Sequence, residues 1–362
     1  MASFSRFYLW FSQTPFQQEI MYQHSLYKII TKFLHYSYTI VKKMPDHPYD
    51  FIGVISKYIL HLLILHKIHV LKDKCDVIVG TNTVVIVNNT IDIVYRIPLN
   101  NYASSGIYNN YNFLVKYQNI LSIPNAICLN HKGTRYLNNK MFYSCESKLK
   151  SNILSANEIN NEKIAFIFYE ISIFYKITQK SMIVNINDIM DNYDSLLIDC
   201  PQKWIARLFV IKYNIKNKIA SFNTDTHFEV IYTKIHGDFT FRNILVNSRI
   251  EFIDFDRSEF NFPEIDLFLF LNILQTYKQC KKPNYNLLFD NIFDFIHKNT
   301  VCNQVEKFYE LNKAFRANKK ILPIIKYCFF YRTLIHVILN FRFYDPEPDA
   351  ILEKCLNKIK NI

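Results

Sequence analysis

The stretch KIHGDFTFRNILVNSRIEFIDFDRSEFNFPEIDLFLFL, residues 234–271, carries the strongest chemical signal in the chain. Asp238 and Asn243 stand five residues apart, just before the apolar run Ile244-Leu245-Val246. Asp254 follows a second apolar run, Phe252-Ile253. Two short strands joined by a turn at Asn247-Ser248 would bring the first loop and Asp254 to one end of a hairpin. Such a hairpin gathers two carboxylates and an amide oxygen. Hard oxygen ligands of this kind suit Mg2+, which keeps several waters and takes one or two carboxylates plus substrate phosphates. The remaining carboxylate can act as a base toward a hydroxyl. Phosphoryl transfer depends mainly on positioning and charge neutralisation, so this small set of groups can suffice.

The sequence upstream changes character twice. Residues 16–71 read as mostly helical. CDVIVG, TVVIVN and IDIVYRIPL, within residues 75–99, are rich in Val and Ile and are separated by Gly80-Thr81-Asn82 and Asn88-Asn89-Thr90. Beta-branched runs broken by turn residues predict an antiparallel meander. Residues 106–121 read as a helix, and KMFYSCESK, 140–148, as a further strand leading into a linker. From about residue 151 the pattern is helical, with buried helices expected over 161–177 and 203–215. A small β-rich part followed by a larger helical part predicts two lobes with a cleft between them.

Composition limits the function classes. Half of the 362 residues are hydrophobic and 20% are charged, which is a globular balance. The net charge of +12 favours anionic partners such as nucleotides and phosphorylated or anionic small molecules. The positive charges are scattered and form no nucleic-acid module, so no specific nucleic-acid partner is expected. No two of the eight cysteines make a Cys-x-x-Cys pair, which argues against a zinc site or disulfide framework and for a reducing, cytoplasmic setting. The opening residues lack the pattern of a secretory leader. The apolar segment 51–71 is interrupted by Lys57, His61, His66 and Lys67, so it reads as an amphipathic helix and not a membrane span. Tyr8–Phe11 offers a peripheral membrane contact, which is a weaker expectation than burial.

His236-Gly237-Asp238, Asn243 and the following Ile253-Asp254-Phe255-Asp256 together resemble the catalytic and metal loops of the aminoglycoside phosphotransferase and choline kinase superfamily. Ile-Asp-Phe-Asp-Arg, 253–257, is also similar to the metal loop of bacterial sugar kinases that act on lipopolysaccharide, such as Kdo kinase. Asp266, twelve residues after Asp254, matches a structural aspartate of the superfamily. The resemblance implies that Asp238 is the catalytic base, that Asn243 and Asp254 hold Mg2+, and that His236 and Asp266 support the loop. It further implies that Arg96, on the third strand, contacts the alpha and beta phosphates of ATP, while the turn Gly80, Thr81 and Asn82 covers them. One departure stands out. The superfamily places a glutamate on the following helix to pair with the third-strand base. Helix 106–121 contains no acidic residue, and Asn110 is the nearest match.

These readings converge on an α+β, two-lobed, protein-kinase-like fold. A helical extension is expected over 1–71, a small nucleotide-binding lobe over 72–148, and a helical catalytic and acceptor-binding lobe over 149–362. The expected activity is ATP- and Mg2+-dependent transfer of the gamma-phosphoryl group to a hydroxyl of a sugar or amino alcohol. Adenine is expected near Tyr143–Ser147. A protein kinase ranks lower because Asp-Phe-Gly and Ala-Pro-Glu are missing. A non-catalytic pseudokinase-like binding protein is the rival from another class. The sequence carries no signal for oligomeric state.

Overall fold

The computed structural model describes residues 75–79, 83–98, 101–134, 137–185, 188–221, 227–281, 284–297, 303–339 and 347–360. The expected helical extension 1–71 and the turn Gly80, Thr81, Asn82 lie outside the described residues. Contacts divide the chain into two compact units. One holds the described residues up to Tyr111 together with Asn125–Leu149, and the other holds Asn112–Pro124 with the described residues from Lys150 on.

The first unit is built on a five-stranded antiparallel sheet of β1 (Cys75–Val79), β2 (Thr83–Asn88), β3 (Ile93–Pro98), β4 (Ala126–Thr134) and β5 (Leu137–Ser147). The spatial order is β1-β2-β3-β5-β4. The Asn-rich turn expected between β2 and β3 has a clear cause. Asn88 Oδ1 accepts the amides of Thr90 at 2.9 Å and Ile91 at 3.3 Å, and Asp92 adopts φ +53°. Helix α1 (Asn101–Tyr117) begins five residues before Gly106 and ends four before the expected stop at 121. Its first turns belong to this unit and its last turns to the other.

The second unit is helical with two small sheets. Its elements are β6 (Asn152–Ile153), α2 (Asn161–Thr178), β7 (Lys180–Asn185), α3 (Gln202–Ala220), β8 (His227–Ile235), β9 (Ile244–Val246), β10 (Ile250–Phe252) and β11 (Glu259–Asn261). They are followed by α4 (Pro263–Cys280), α5 (Tyr285–His297), α6 (Asn303–Leu311), α7 (Leu322–Leu339) and α8 (Glu347–Lys360). The sheets run β10-β9-β6 and β11-β8-β7. Helix α2 starts where the Asn160 side chain accepts the Lys163 amide at 2.8 Å. Helix α4 starts at Pro263, a residue well suited to a first helical position, and stops at Lys281 in the left-handed region with φ +59°. Helix α7 is the core element, buried from Ile324 to Leu339. Residues Lys313–Leu339 are long and apolar enough to cross a membrane, but 94% of that apolar window is buried inside the protein. Packing therefore accounts for its apolarity.

A buried polar knot ties α4 to α6 and β8. Glu264 accepts from Tyr309 Oη at 2.9 Å and from Asn318 Nδ2 at 3.2 Å. Asn318 also pairs with both backbone groups of Ile231, at 2.7 and 2.9 Å. Burial pushes the Glu264 carboxyl up to about 7, against the pull of its own backbone amide, Tyr309 and Asn318. The folded state therefore keeps this proton to near neutral pH, whereas the unfolded chain releases it near 4.5. Between those values the folded state binds more protons, so stability should fall as pH rises through the window. Melts of wild type and Glu264→Gln from pH 4.5 to 8 should show a decline in wild type that the variant lacks. Parallel curves would refute the assignment.

Candidate active site

The loop after β8 is gripped from both sides. Asp266, in the first turn of α4, is fully buried and takes the loop's amides: His236 N–H reaches Oδ2 at 2.6 Å and Gly237 N–H reaches Oδ1 at 2.9 Å. Tyr175 Oη donates to the same Oδ2 at 2.7 Å. Burial raises the Asp266 carboxyl, while His236, Tyr175 and the two amides oppose it. Arg332 on α7, also fully buried, takes the carbonyls. Its Nη1 bonds Gly237 O at 2.9 Å and its Nη2 bonds Arg257 O at 3.3 Å. Burial works against that charge, but the ion pair with Glu259 holds the guanidinium above its ordinary value. Gly237 is required here. It sits at φ +85°, and a Cβ would stand 2.0 Å from Arg257 O.

His236 links this loop to the metal-loop strand. Its Nδ1 accepts the Asp238 amide at 3.3 Å, so Nε2 carries the proton donated to Ile253 O at 2.9 Å. The hairpin expected from the two apolar runs is present. Strands β9 and β10 pair antiparallel with Ile244 opposite Phe252, and Ile253 N–H bonds Asn243 O at 3.0 Å. Asn243 and Asp254 are thereby brought to the same hairpin end. Asn243 Nδ2 donates to Asp238 O at 2.8 Å and to Asp238 Oδ2 at 3.3 Å.

Asp254 has φ +70°. The other described non-glycine residues in this region are Asp92, in a hairpin turn, and Lys281, at a helix end. Those two lie in a turn and at a helix end, whereas Asp254 stands just after β10, at the hairpin end that also carries Asn243. The next residue, Phe255, stacks on Phe113 at 3.9 Å and lies 4.4 Å from the His236 ring, which anchors the turn.

A pocket of about 240 Å³ opens beside Asp238. Apolar side chains of α4, α5 and α7 line it, together with Phe241, Tyr277, Tyr285, Arg242 and Arg257. Arg257 Nη1 lies 3.8 Å from Asp238 Oδ1. Burial and the Arg332 and Arg257 guanidiniums hold His336, also in the lining, well below its ordinary value, so it is neutral.

In the first unit Arg96 is buried, and its acid partner is on a strand. Nε and Nη2 donate to Glu146 Oε1 at 3.1 and 3.0 Å. Asn110 Nδ2 donates to Glu146 Oε2 at 2.9 Å. Arg96 pairs across the sheet with Ser144, so Glu146 is its diagonal neighbour on the same face. The helix thus reaches the pair through an amide, and the carboxylate missing from α1 is supplied by β5. Glu146, Arg332 and Tyr175 were not singled out from the sequence, and Arg257 entered only as the last residue of the Ile-Asp-Phe-Asp-Arg motif. Glu146 had a signal: it is the one acid in the strand beside Arg96. Arg332 and Tyr175 are set by long-range packing.

Asn243 Oδ1 accepts no hydrogen bond from the described residues, and Asp254 adds a carboxylate at the same hairpin end. No cluster of three or more His, Cys, Asp or Glu suited to a metal occurs among the described residues. Two oxygen ligands completed by nucleotide phosphates are what Mg2+ accepts, so the donor set fits that ion.

No family model matches the sequence, and no curated protein matches it. Solved structures do. The GDP and kanamycin complex of APH(2")-IIia superposes with TM-score 0.53 at 13% identity, covering 83% of this chain and 98% of that one. The fold is kinase-like. Amicoumacin kinase hAmiN, in complex with AMP-PNP, Ca2+ and Ami, gives 0.52 at 10% identity, covering 85% of this chain and 95% of its own. The GDP complex of wild-type aminoglycoside 2'-phosphotransferase-IIIa gives 0.50 at 12%, covering 84% and 99%. The kinase-like chain described here therefore shares an antiparallel-sheet unit and a helical unit with phosphotransferases of small molecules.

Proposed function

We propose that this chain is an ATP- and Mg2+-dependent phosphotransferase acting on a hydroxyl of a small molecule. The observation that carries the reading is Asp238 at the edge of the pocket, with Asn243 and Asp254 held beside it by one hairpin. Asp238 accepts the proton of the acceptor hydroxyl. The acceptor oxygen forms its bond to the gamma phosphorus as the bond from that phosphorus to the bridging oxygen breaks, and ADP leaves. Asn243 and Asp254 are the residues that would hold Mg2+, which when bound neutralises phosphate charge. Arg96, fixed by Glu146 and Asn110, is assigned to the nucleotide phosphates. The GDP and AMP-PNP in the structural neighbours' complexes agree with a nucleotide site. The Ile-Asp-Phe-Asp-Arg loop keeps a sugar acceptor of the Kdo-kinase kind within the proposal.

The test is a thermal melt with and without Mg·ATP, run beside Asp254→Asn. Nucleotide at about a hundred times its dissociation constant should add about 2.7 kcal/mol to wild type. The variant should lose the magnesium-dependent part of that gain. An unchanged wild-type melting temperature at millimolar Mg·ATP would refute the nucleotide site.

A further inference from the structure

The pocket beside Asp238 carries more positive than negative charge. Its ionised lining residues are Asp238, Arg242, Arg257 and Arg332. Arg332 is committed to Glu259 and to two loop carbonyls. Arg257 faces Asp238. Arg242 remains. Its guanidinium lies 5.7 Å from the Tyr277 ring centre and 5.9 Å from that of Phe241, so aromatic faces hold it in place. Among the described residues no carboxylate comes within ion-pair distance of it.

We infer that the phosphate acceptor is a small hydroxylated anion, bound through its carboxylate or phosphate group at Arg242 and Arg257. The inference rests on the phosphotransferase reading for the word acceptor, and on the pocket alone for the charge. A guanidinium fork matches the spacing of oxyanion oxygens. Burial raises the Tyr285 hydroxyl in the same lining, with Arg257 and Arg242 pulling it down and Asp238 and Glu347 pushing it up. Glu347 opens α8, is exposed and lies outside the lining. Thr333 Oγ1, in the lining and buried, has no hydrogen-bond partner among the described residues. It offers a polar contact deep in the pocket. Leu269, Ile273 and Leu288 supply apolar walls for the carbon face of a ring. Of the two acceptor classes expected from the sequence, the sugar fits. An amino alcohol would bring an ammonium to Arg242, with which no carboxylate among the described residues pairs.

The test uses four probes built on one hexose ring: glucuronate, glucose 6-phosphate, glucose and glucosamine. Each is titrated calorimetrically into the full chain with Mg·ADP present, and each is offered as acceptor with Mg·ATP while ADP release is followed. At least one anion should bind about tenfold or more tightly than glucose, the scale of a charge-assisted hydrogen bond, and glucosamine should bind weakest. The two anions separate carboxylate from phosphate recognition. Arg242→Glu should keep the wild-type melting temperature, because the residue is exposed, while losing the anion preference and gaining on glucosamine. Glucose or glucosamine binding as well as both anions overturns the inference, as does failure of both anions to bind at millimolar concentration. An anion preference unchanged in Arg242→Glu also overturns it. Anion binding without transfer to any probe would uphold the pocket's charge preference and count against the phosphotransferase reading.

Discussion

Asp238→Asn should lower phosphoryl transfer by about a thousandfold, the middle of the range for losing a positioned general base. The substitution is nearly isosteric. The Asp238 backbone carbonyl still accepts from Asn243, and its amide still reaches His236 Nδ1. The side chain is part exposed at 28%, so the altered charge is solvated and the fold should not suffer. Nucleotide affinity should change little, because Arg96, Asn243 and Asp254 are untouched. ADP release with a saturating acceptor reads the transfer rate, and the Mg·ATP-induced rise in melting temperature reads binding. Transfer at the wild-type rate would show that another group takes the proton. A loss of rate accompanied by a lost nucleotide shift would place Asp238 on the metal instead.

The hairpin of β9 and β10 was legible because local chemistry specifies it. Two apolar runs flank a polar turn, and the pairing of Ile244 with Phe252 then places Asn243 beside Asp254 without help from distant residues. The β1–β3 meander was legible for the same reason. The partner of Arg96 was not. The resemblance places the acid on the following helix, whereas the carboxylate arrives from a strand 50 residues away, through a register that no local pattern encodes. Arg332 was likewise invisible. It lies in the most apolar helix among the described residues, where a lone arginine reads as a stray charge until its three partners are known. The pocket also depends on such packing, since Asp238, Tyr277 and Thr333 lie far apart in sequence and line one pocket only after α4, α5 and α7 have assembled.

Asp266→Ala should destabilise the protein by about 3–6 kcal/mol, because three buried donors lose their acceptor and each orphaned group costs about 1–3 kcal/mol. The donors are the amides of His236 and Gly237 and the hydroxyl of Tyr175, and His236 and Tyr175 are themselves fully buried. The burial penalty on the carboxylate itself is relieved in the variant, which keeps the estimate from being a simple sum. Asp266→Asn should also destabilise, though less. An amide can accept at one position only, and its N–H2 then faces either the His236 or the Gly237 amide, donor against donor. Urea unfolding reads both effects, and the order wild type, Asn, Ala is expected. The loop consequence follows from the grip described above. With its amides released, Gly237 is held only through its carbonyl by Arg332, and the positive φ at that residue has lost half of what enforces it. Residual folded Asp266→Ala should therefore transfer phosphate more slowly than wild type, even under conditions where it is fully folded. A wild-type unfolding midpoint for Asp266→Ala would mean that Arg332 and Gly237 alone fix the loop, and that the buried carboxylate contributes nothing to it.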